Sequence, residues 1–149
     1  MASNPVNRKL VISKVKPSTK YNSVIIVDDQ ELDNWITQKI LEAVNFSENI
    51  HVYTSGEAAI EYLQGLNINS QVSASLAPDF IFVNTRMPQM SGIEFVKKMQ
   101  ELPEAIRNHT KIVLMSPVPN PKEEAQVKSL KGVYKYLPKP LSIEALETL

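Results

Sequence analysis

Three unbroken runs of apolar residues, Val24-Ile25-Ile26-Val27, Phe80-Ile81-Phe82-Val83 and Ile112-Val113-Leu114-Met115, constrain this chain more than any other feature. A strand with one face in water alternates apolar and polar residues. A run without alternation belongs to a strand covered on both faces, as in a parallel sheet flanked by helices. The segments between the runs supply those helices. Leu32, Ile36, Ile40 and Val44 recur at four-residue spacing, with Asp33, Gln38, Lys39 and Glu42 on other faces, which predicts an amphipathic helix of roughly 14 residues. Ile50 to Tyr53 reads as a second, shorter strand. Thr54 with Glu57 forms a capping box for a helix whose Ala58, Ala59, Tyr62, Leu63 and Leu66 face the core. The polar stretch Asn67 to Pro78 reads as a loop. Ser91 with Glu94 makes a second capping box, ahead of Ile93, Val96 and Met99. Asn120, Pro121 and Glu123 suit the N-cap, first and third positions of a further helix. Val133 to Leu137 is a fifth strand, and Ile143, Leu146 and Leu149 lie on a last helix that starts near Leu141. Five strands alternating with five helices predict an α/β domain, doubly wound around a five-stranded parallel sheet with right-handed crossovers.

Composition removes several kinds of chemistry. The chain has 149 residues, enough for one domain, and no cysteine, which excludes disulfides, thiol catalysis and thiolate metal sites. Its two histidines, His51 and His109, are too far apart in sequence to form a local ligand pair. No apolar run exceeds four or five residues, too short to span a bilayer, and no signal-peptide core is visible, so a cytoplasmic protein without a membrane partner is expected. Sixteen basic residues balance sixteen acidic ones, which argues against direct nucleic-acid binding. The balance is uneven along the chain. Arg8, Lys9, Lys14, Lys16 and Lys20 fall in the first 27 residues without an acid, and the rest holds eleven bases against sixteen acids. Residues 1–21 therefore read as a basic, flexible extension and residues 22–149 as the domain.

In a doubly wound sheet the ligand crevice lies beyond the carboxyl ends of the strands. Asp28 and Asp29 follow the first strand, Asn84 ends the third, Ser116 follows the fourth and Lys139 follows the fifth. Adjacent carboxylates suit a hard divalent cation, which takes oxygen ligands at about 2.0–2.1 Å in the case of Mg²⁺. A hydroxyl and an ammonium opposite suit phosphoryl oxygens. There is no GxxxxGK[ST] and no GxGxxG, so a nucleotide-cradling loop is not supported. Taken singly, each residue also has a plain structural use: Asp28-Asp29 as a helix cap, Ser116 as a loop cap, Lys139 as a surface charge.

The run Val24 to Asp29, the run Asp79 to Gly92 with its Met87-Pro88-Gln89-Met90-Ser91-Gly92, the segment Leu114-Met115-Ser116, and Tyr136-Leu137-Pro138-Lys139-Pro140 together resemble the CheY-like receiver domain of bacterial two-component response regulators. The resemblance covers roughly Asn22 to Leu149 and implies a flavodoxin-like three-layer sandwich. It further implies that Asp28 and Asp29 hold Mg²⁺ with the backbone carbonyl of Arg86. Ser116 would bind the phosphoryl group and Lys139 would pair with it. Tyr136 would be the aromatic that changes rotamer with signalling state, and the Lys139-Pro140 bond would be cis. Expected partners are a histidine kinase or phosphotransfer protein, or a downstream signalling protein met on the face built by the helix after Asn120, the fifth strand and the last helix.

One position departs from the family. Where relatives have the aspartate that accepts phosphate, this chain has Asn84, and an amide has no carboxylate lone pair with which to attack phosphorus. The loss of one negative charge weakens Mg²⁺ binding and leaves Lys139 with two carboxylate partners, Asp28 and Asp29. Three accounts remain open: a degenerate receiver acting as a phosphate-independent interaction module, an ordinary phosphoacceptor carrying an engineered Asp-to-Asn substitution, or an aspartyl phosphatase-type enzyme. The third lacks the second acid expected two positions after its nucleophile, since Gln30 and Glu31 offer no clean Asp-x-Asp. Pro117, Pro119 and Pro121 stiffen the loop a switching receiver must move, and Thr85 stands where an aliphatic residue is common. The short last helix implies that the native chain continues past Leu149 or has been trimmed.

Overall fold

The computed structural model describes residues 18–66 and 76–149. The basic N-terminal segment and most of the loop expected at Asn67 to Pro78 lie outside these residues. Five strands, β1 (Tyr21–Val27), β2 (Ser47–Tyr53), β3 (Phe80–Asn84), β4 (Lys111–Ser116) and β5 (Val133–Pro138), form one parallel sheet in the order β2-β1-β3-β4-β5. Strand β1 begins at Tyr21, one residue inside the segment expected to be extension. The unbroken apolar runs fall on β1, β3 and β4, the three central strands, which are covered on both faces as their composition requires.

Alternate residues of these strands feed two cores. On one face Val24, Ile26, Phe80, Phe82, Val113 and Met115 pack with Leu41 of α1 (Glu31–Ala43), Phe46, and Leu146 of α6 (Ile143–Glu147). Phe46 meets Phe80 and Phe82 edge to face, with ring centroids 5.3 and 5.8 Å away. On the other face Ile25, Val27, Ile81, Val83, Ile112 and Leu114 pack under α2 (Gly56–Gly65), α3 (Gly92–Met99), α4 (Glu104–His109) and α5 (Pro121–Lys128). The result is the expected three-layer α/β arrangement.

Several local expectations are corrected. The described residues hold six helices rather than five, because Glu104–His109 forms a short helix behind Pro103 that buries only Ile106 and is too brief to show a period. The cap of α2 is Ser55, which accepts from the Ala58 amide at 3.1 Å, and not Thr54. The inner line of α2 is Gly56, Ala59, Ile60 and Leu63, while Tyr62 turns outward. Strand β2 runs from Ser47, three residues earlier than its apolar part, because an edge strand needs backbone partners on one side only. The last helix starts at Ile143, capped by Ser142, and not at Leu141, which instead enters the core.

Helix α1 shows the largest difference. Its buried line is Asn34, Thr37 and Leu41, whereas Leu32 and Trp35 are 67% and 57% exposed. The cause is polar: Asn34 Nδ2 donates to the Asp28 carbonyl at 2.7 Å, and that bond turns the first turns of the helix away from the apolar stripe. Ile40 and Val44, further along, still pack partly on the core.

The capping boxes at Ser91/Glu94 and the Asn120 cap of α5 form as expected. Gly92 is the tightest position of the β3–α3 junction. A Cβ there would lie 2.7 Å from the Asn84 carbonyl oxygen and 2.8 Å from Thr85 Cα, both backbone atoms that cannot swing aside. Gly92→Ala is expected to destabilise the fold by about 1–3 kcal/mol through this overpacking. Gly65→Ala, whose Cβ meets nothing within 4 Å, should be neutral or stabilising by about 0.4–1 kcal/mol. Urea unfolding followed by far-UV circular dichroism compares the two directly.

Candidate functional site

Because the sheet is parallel, all strands present their carboxyl ends at one rim. Asp28 and Asp29 leave β1 there, Asn84 and Ser116 end β3 and β4, and Lys139 follows β5. Asp28 has no exposed surface, and an ion so placed must be met by donors. Its Oδ2 receives Lys139 Nζ at 2.6 Å, while Oδ1 receives the Gln30 amide at 3.0 Å and Asn84 Nδ2 at 3.2 Å. Lys139 makes a second bond of 2.6 Å to Asp33 Oδ2. The expected second partner, Asp29, is not used. Asp33 projects from the first turn of α1 toward the ammonium, and Asp29 is turned to Gln30 Nε2 at 3.0 Å and to Asn84. Burial pushes the Lys139 pKa down, but the hydrogen bonds and charges of Asp28 and Asp33 outweigh it and hold the group above its ordinary 10.5.

The Asn84 carboxamide sits among these carboxylates. Its Nδ2 lies 2.9 Å from the Arg86 carbonyl, 3.2 Å from Asp28 Oδ1 and 3.5 Å from Asp29 Oδ1, and its Oδ1 accepts the Arg86 amide at 3.3 Å. Three acceptors on one side and a donor on the other orient the amide without ambiguity. The carbonyl of Arg86 thus faces the same point as the two aspartates.

Beside this cluster lies a second one. Glu123, in the first turn of α5, is almost wholly buried, and Tyr136 Oη donates to its Oε1 at 2.5 Å. Arg86 Nε stands 3.5 Å from Glu123 Oε2, and its Nη2 donates to the Val118 carbonyl at 3.2 Å. Ser116 Oγ and Thr85 Oγ1 are buried without a hydrogen bond of ordinary length, yet both are near enough to Glu123 to affect its ionisation. Burial pushes the Glu123 pKa up, but the nearby hydroxyls of Ser116, Tyr136 and Thr85, with the Arg86 guanidinium, bring it below the usual carboxylate value. Burial first, and then the Glu123 carboxylate, raise the Tyr136 pKa. Backbone bonds tie the clusters together: Lys139 N to Ser116 O at 2.8 Å and Thr85 N to Met115 O at 2.8 Å. The Lys139-Pro140 bond is cis.

The structure therefore gathers every residue singled out in the sequence, Asp28, Asp29, Asn84, Arg86, Ser116, Tyr136 and Lys139, at one rim. It adds Asp33 and Glu123, which sequence reasoning assigned to a helix face and a helix start. Residues 24–149 match the family model described as the response regulator receiver domain. The chain belongs to that family. This receiver domain is similar to a two-component response regulator from Cytophaga hutchinsonii, with a TM-score of 0.75 and 28% identity, covering 85% of this chain and 92% of that one. A response regulator receiver protein from Dyadobacter fermentans gives 0.73 and 27%, with the same coverage of 85% and 92%. The Vibrio cholerae chemotaxis protein CheY4 shares the fold, with a TM-score of 0.63 at 22% identity over 86% of this chain and 94% of that one. No curated protein matched the chain. No helix among the described residues is long and apolar enough to cross a membrane.

Receiver domains typically bind Mg²⁺. As the Asn84 amide is oriented here, the groups leave no open position for a divalent cation. The oxygens of Asp28, Asp29 and Arg86 that converge on one point are turned to the Asn84 N–H₂, a donor that cannot ligate a cation, and the other Asp28 oxygen is held by Lys139. Among the described residues no group of three or more His, Asp or Glu side chains is arranged to hold a metal.

The Lys139–Asp28 pair gives a test. Lys139→Met leaves a buried carboxylate without its counter-charge and should cost about 3–5 kcal/mol. A lysine whose folded pKa is raised stabilises fully below its unfolded value and loses that contribution as pH rises through the folded one. The advantage of the wild type over Lys139→Met, from urea midpoints, should stay constant from neutral pH up to 10.5 and shrink above it.

Proposed function

We propose that this receiver domain is a phosphate-independent interaction module of two-component signalling, with Asn84 at the position where relatives carry the phosphate-accepting aspartate. The observation that carries this reading is the Asn84 carboxamide itself, at the end of β3 and bonded to Asp28, Asp29 and the Arg86 carbonyl. An amide nitrogen shares its lone pair with the carbonyl, and the oxygen of a neutral amide is a poor nucleophile, so no acyl phosphate forms at this side chain. Asp28 does not replace it as acceptor, because both its oxygens already receive hydrogen bonds and one is paired with an ammonium. In the family pattern Asp28, Asp29 and the Arg86 carbonyl hold the cation, while Ser116 and Lys139 meet the phosphoryl group. In this chain the first three are satisfied by Asn84, and Lys139 is committed to Asp28 and Asp33.

The partner is accordingly a downstream signalling protein, or a kinase or phosphotransfer protein that is bound without being used as a phosphate donor. The surface of α5, β5 and α6 is the expected contact face. It presents exposed Val118, Tyr134 and Ile143 among charged residues. The location is the cytoplasm, in keeping with the absence of a membrane-spanning helix among the described residues.

Intact mass after incubation with Mg²⁺ and acetyl phosphate tests the proposal. The unmodified protein should gain no phosphoryl group. The Asn84→Asp variant should gain one, since the hydroxyl, lysine and aspartates around it keep their places. Stable phosphorylation of the unmodified protein at Asp28 or Asp29 overturns the reading. Calorimetric titration with Mg²⁺ should likewise show saturable binding to Asn84→Asp and at least tenfold weaker binding to the wild type.

A further inference from the structure

Helix α5 is anchored in an unusual way. Only two of its residues are buried, Val127 and Glu123, so half of what holds the helix to the sheet is a carboxylate. An acidic residue in a first turn commonly serves the helix dipole from an exposed position. Glu123 is instead inside, where Tyr136 of β5 donates to one of its oxygens and Arg86, from the segment after β3, pairs with the other. Arg86 extends the network to the Val118 carbonyl, and Asn120, which caps α5 through the Glu123 amide at 2.9 Å, donates to that same carbonyl at 3.3 Å. The whole Pro117–Asn120 segment is thereby tied to one buried anion.

We infer that Glu123 is a positioning residue, an internal anion that takes the Tyr136 hydroxyl and the Arg86 guanidinium and so holds the β4–α5 loop and the α5–β5 surface in one fixed state. The inference rests on the reading of Asn84 as unable to carry phosphate. A site that never gains an external anion can have a permanent set of its switch groups only if the chain supplies the charge. Glu123 does so from α5. The buried hydroxyls of Ser116 and Thr85 make no hydrogen bond. An anion arriving at the end of β3 would find them open and would compete with Glu123 for the remaining donors.

Amide NMR spectra of the full chain test this, using the isosteric Glu123→Gln, which removes the charge, and Tyr136→Phe, which removes only one hydroxyl. Both should shift or double the resonances of residues 117–120 and 133–137 while leaving α2 and β2 unchanged, and the double variant should do no more than the larger single one. Unchanged resonances at 117–120 in both variants, or additive effects, overturn the inference. A second comparison separates positioning from plain support of the fold. With Mg²⁺ and beryllium trifluoride, a phosphoryl analogue, the shift at 117–120 should be at least twofold larger in Asn84→Asp/Glu123→Gln than in Asn84→Asp alone. Equal shifts overturn the inference. Phosphate uptake by the unmodified protein, read by mass, would overturn the reading of Asn84 and leave the spectra of the Glu123 variants to be judged on their own.

Discussion

The buried carboxylate of Asp28 is the constraint around which this molecule is arranged. An ion removed from water costs several kcal/mol unless it is paired and hydrogen-bonded. Here the partners come from across the chain: Lys139 from beyond β5, Asn84 from β3, and the Gln30 amide from the start of α1. The backbone of the same residue accepts Asn34 and donates to Tyr53 of β2. One residue thereby fixes the relation of three strand ends and a helix. The orientation of α1 follows from it, because the bond to Asn34 outranks the burial of Leu32.

Arg86 links this centre to the second anion. Its carbonyl faces the aspartates through Asn84, and its guanidinium faces Glu123 and the Val118 carbonyl. The rim therefore carries Asp28, Asp29, Asp33 and Glu123 against Lys139 and Arg86, with no donor from outside required at Asp28 or Glu123. In this receiver domain the charges of the rim and the Asn84 amide answer one another.

The fold was legible from the sequence because its strongest signal is one of periodicity. Runs such as Ile112 to Met115 admit few environments, and the residues after them had to share a rim. That the seven candidate residues share one rim was legible through the strand ends and through the family pattern. Asp33 was not, since an acid in the first turn of an amphipathic helix reads as a solvated face. Glu123 reads as a helix-start residue, which it also is, and only tertiary structure shows that its carboxylate is inside. The rotation of α1 and the short helix at Glu104–His109 escaped for related reasons. A single buried amide outweighed an apolar stripe in the first, and six residues are too few to display a period in the second.

The chain's one tryptophan, Trp35, stands outward on α1 with Lys39 Nζ 5.9 Å from its ring. Indole emission depends on solvent contact, and this ring is already largely wet in the folded protein. Intrinsic fluorescence will consequently respond weakly to loss of the core and strongly to anything that covers α1. For this protein the tryptophan signal is an optical marker of docking on one helix, and unfolding is better followed by signals from the backbone.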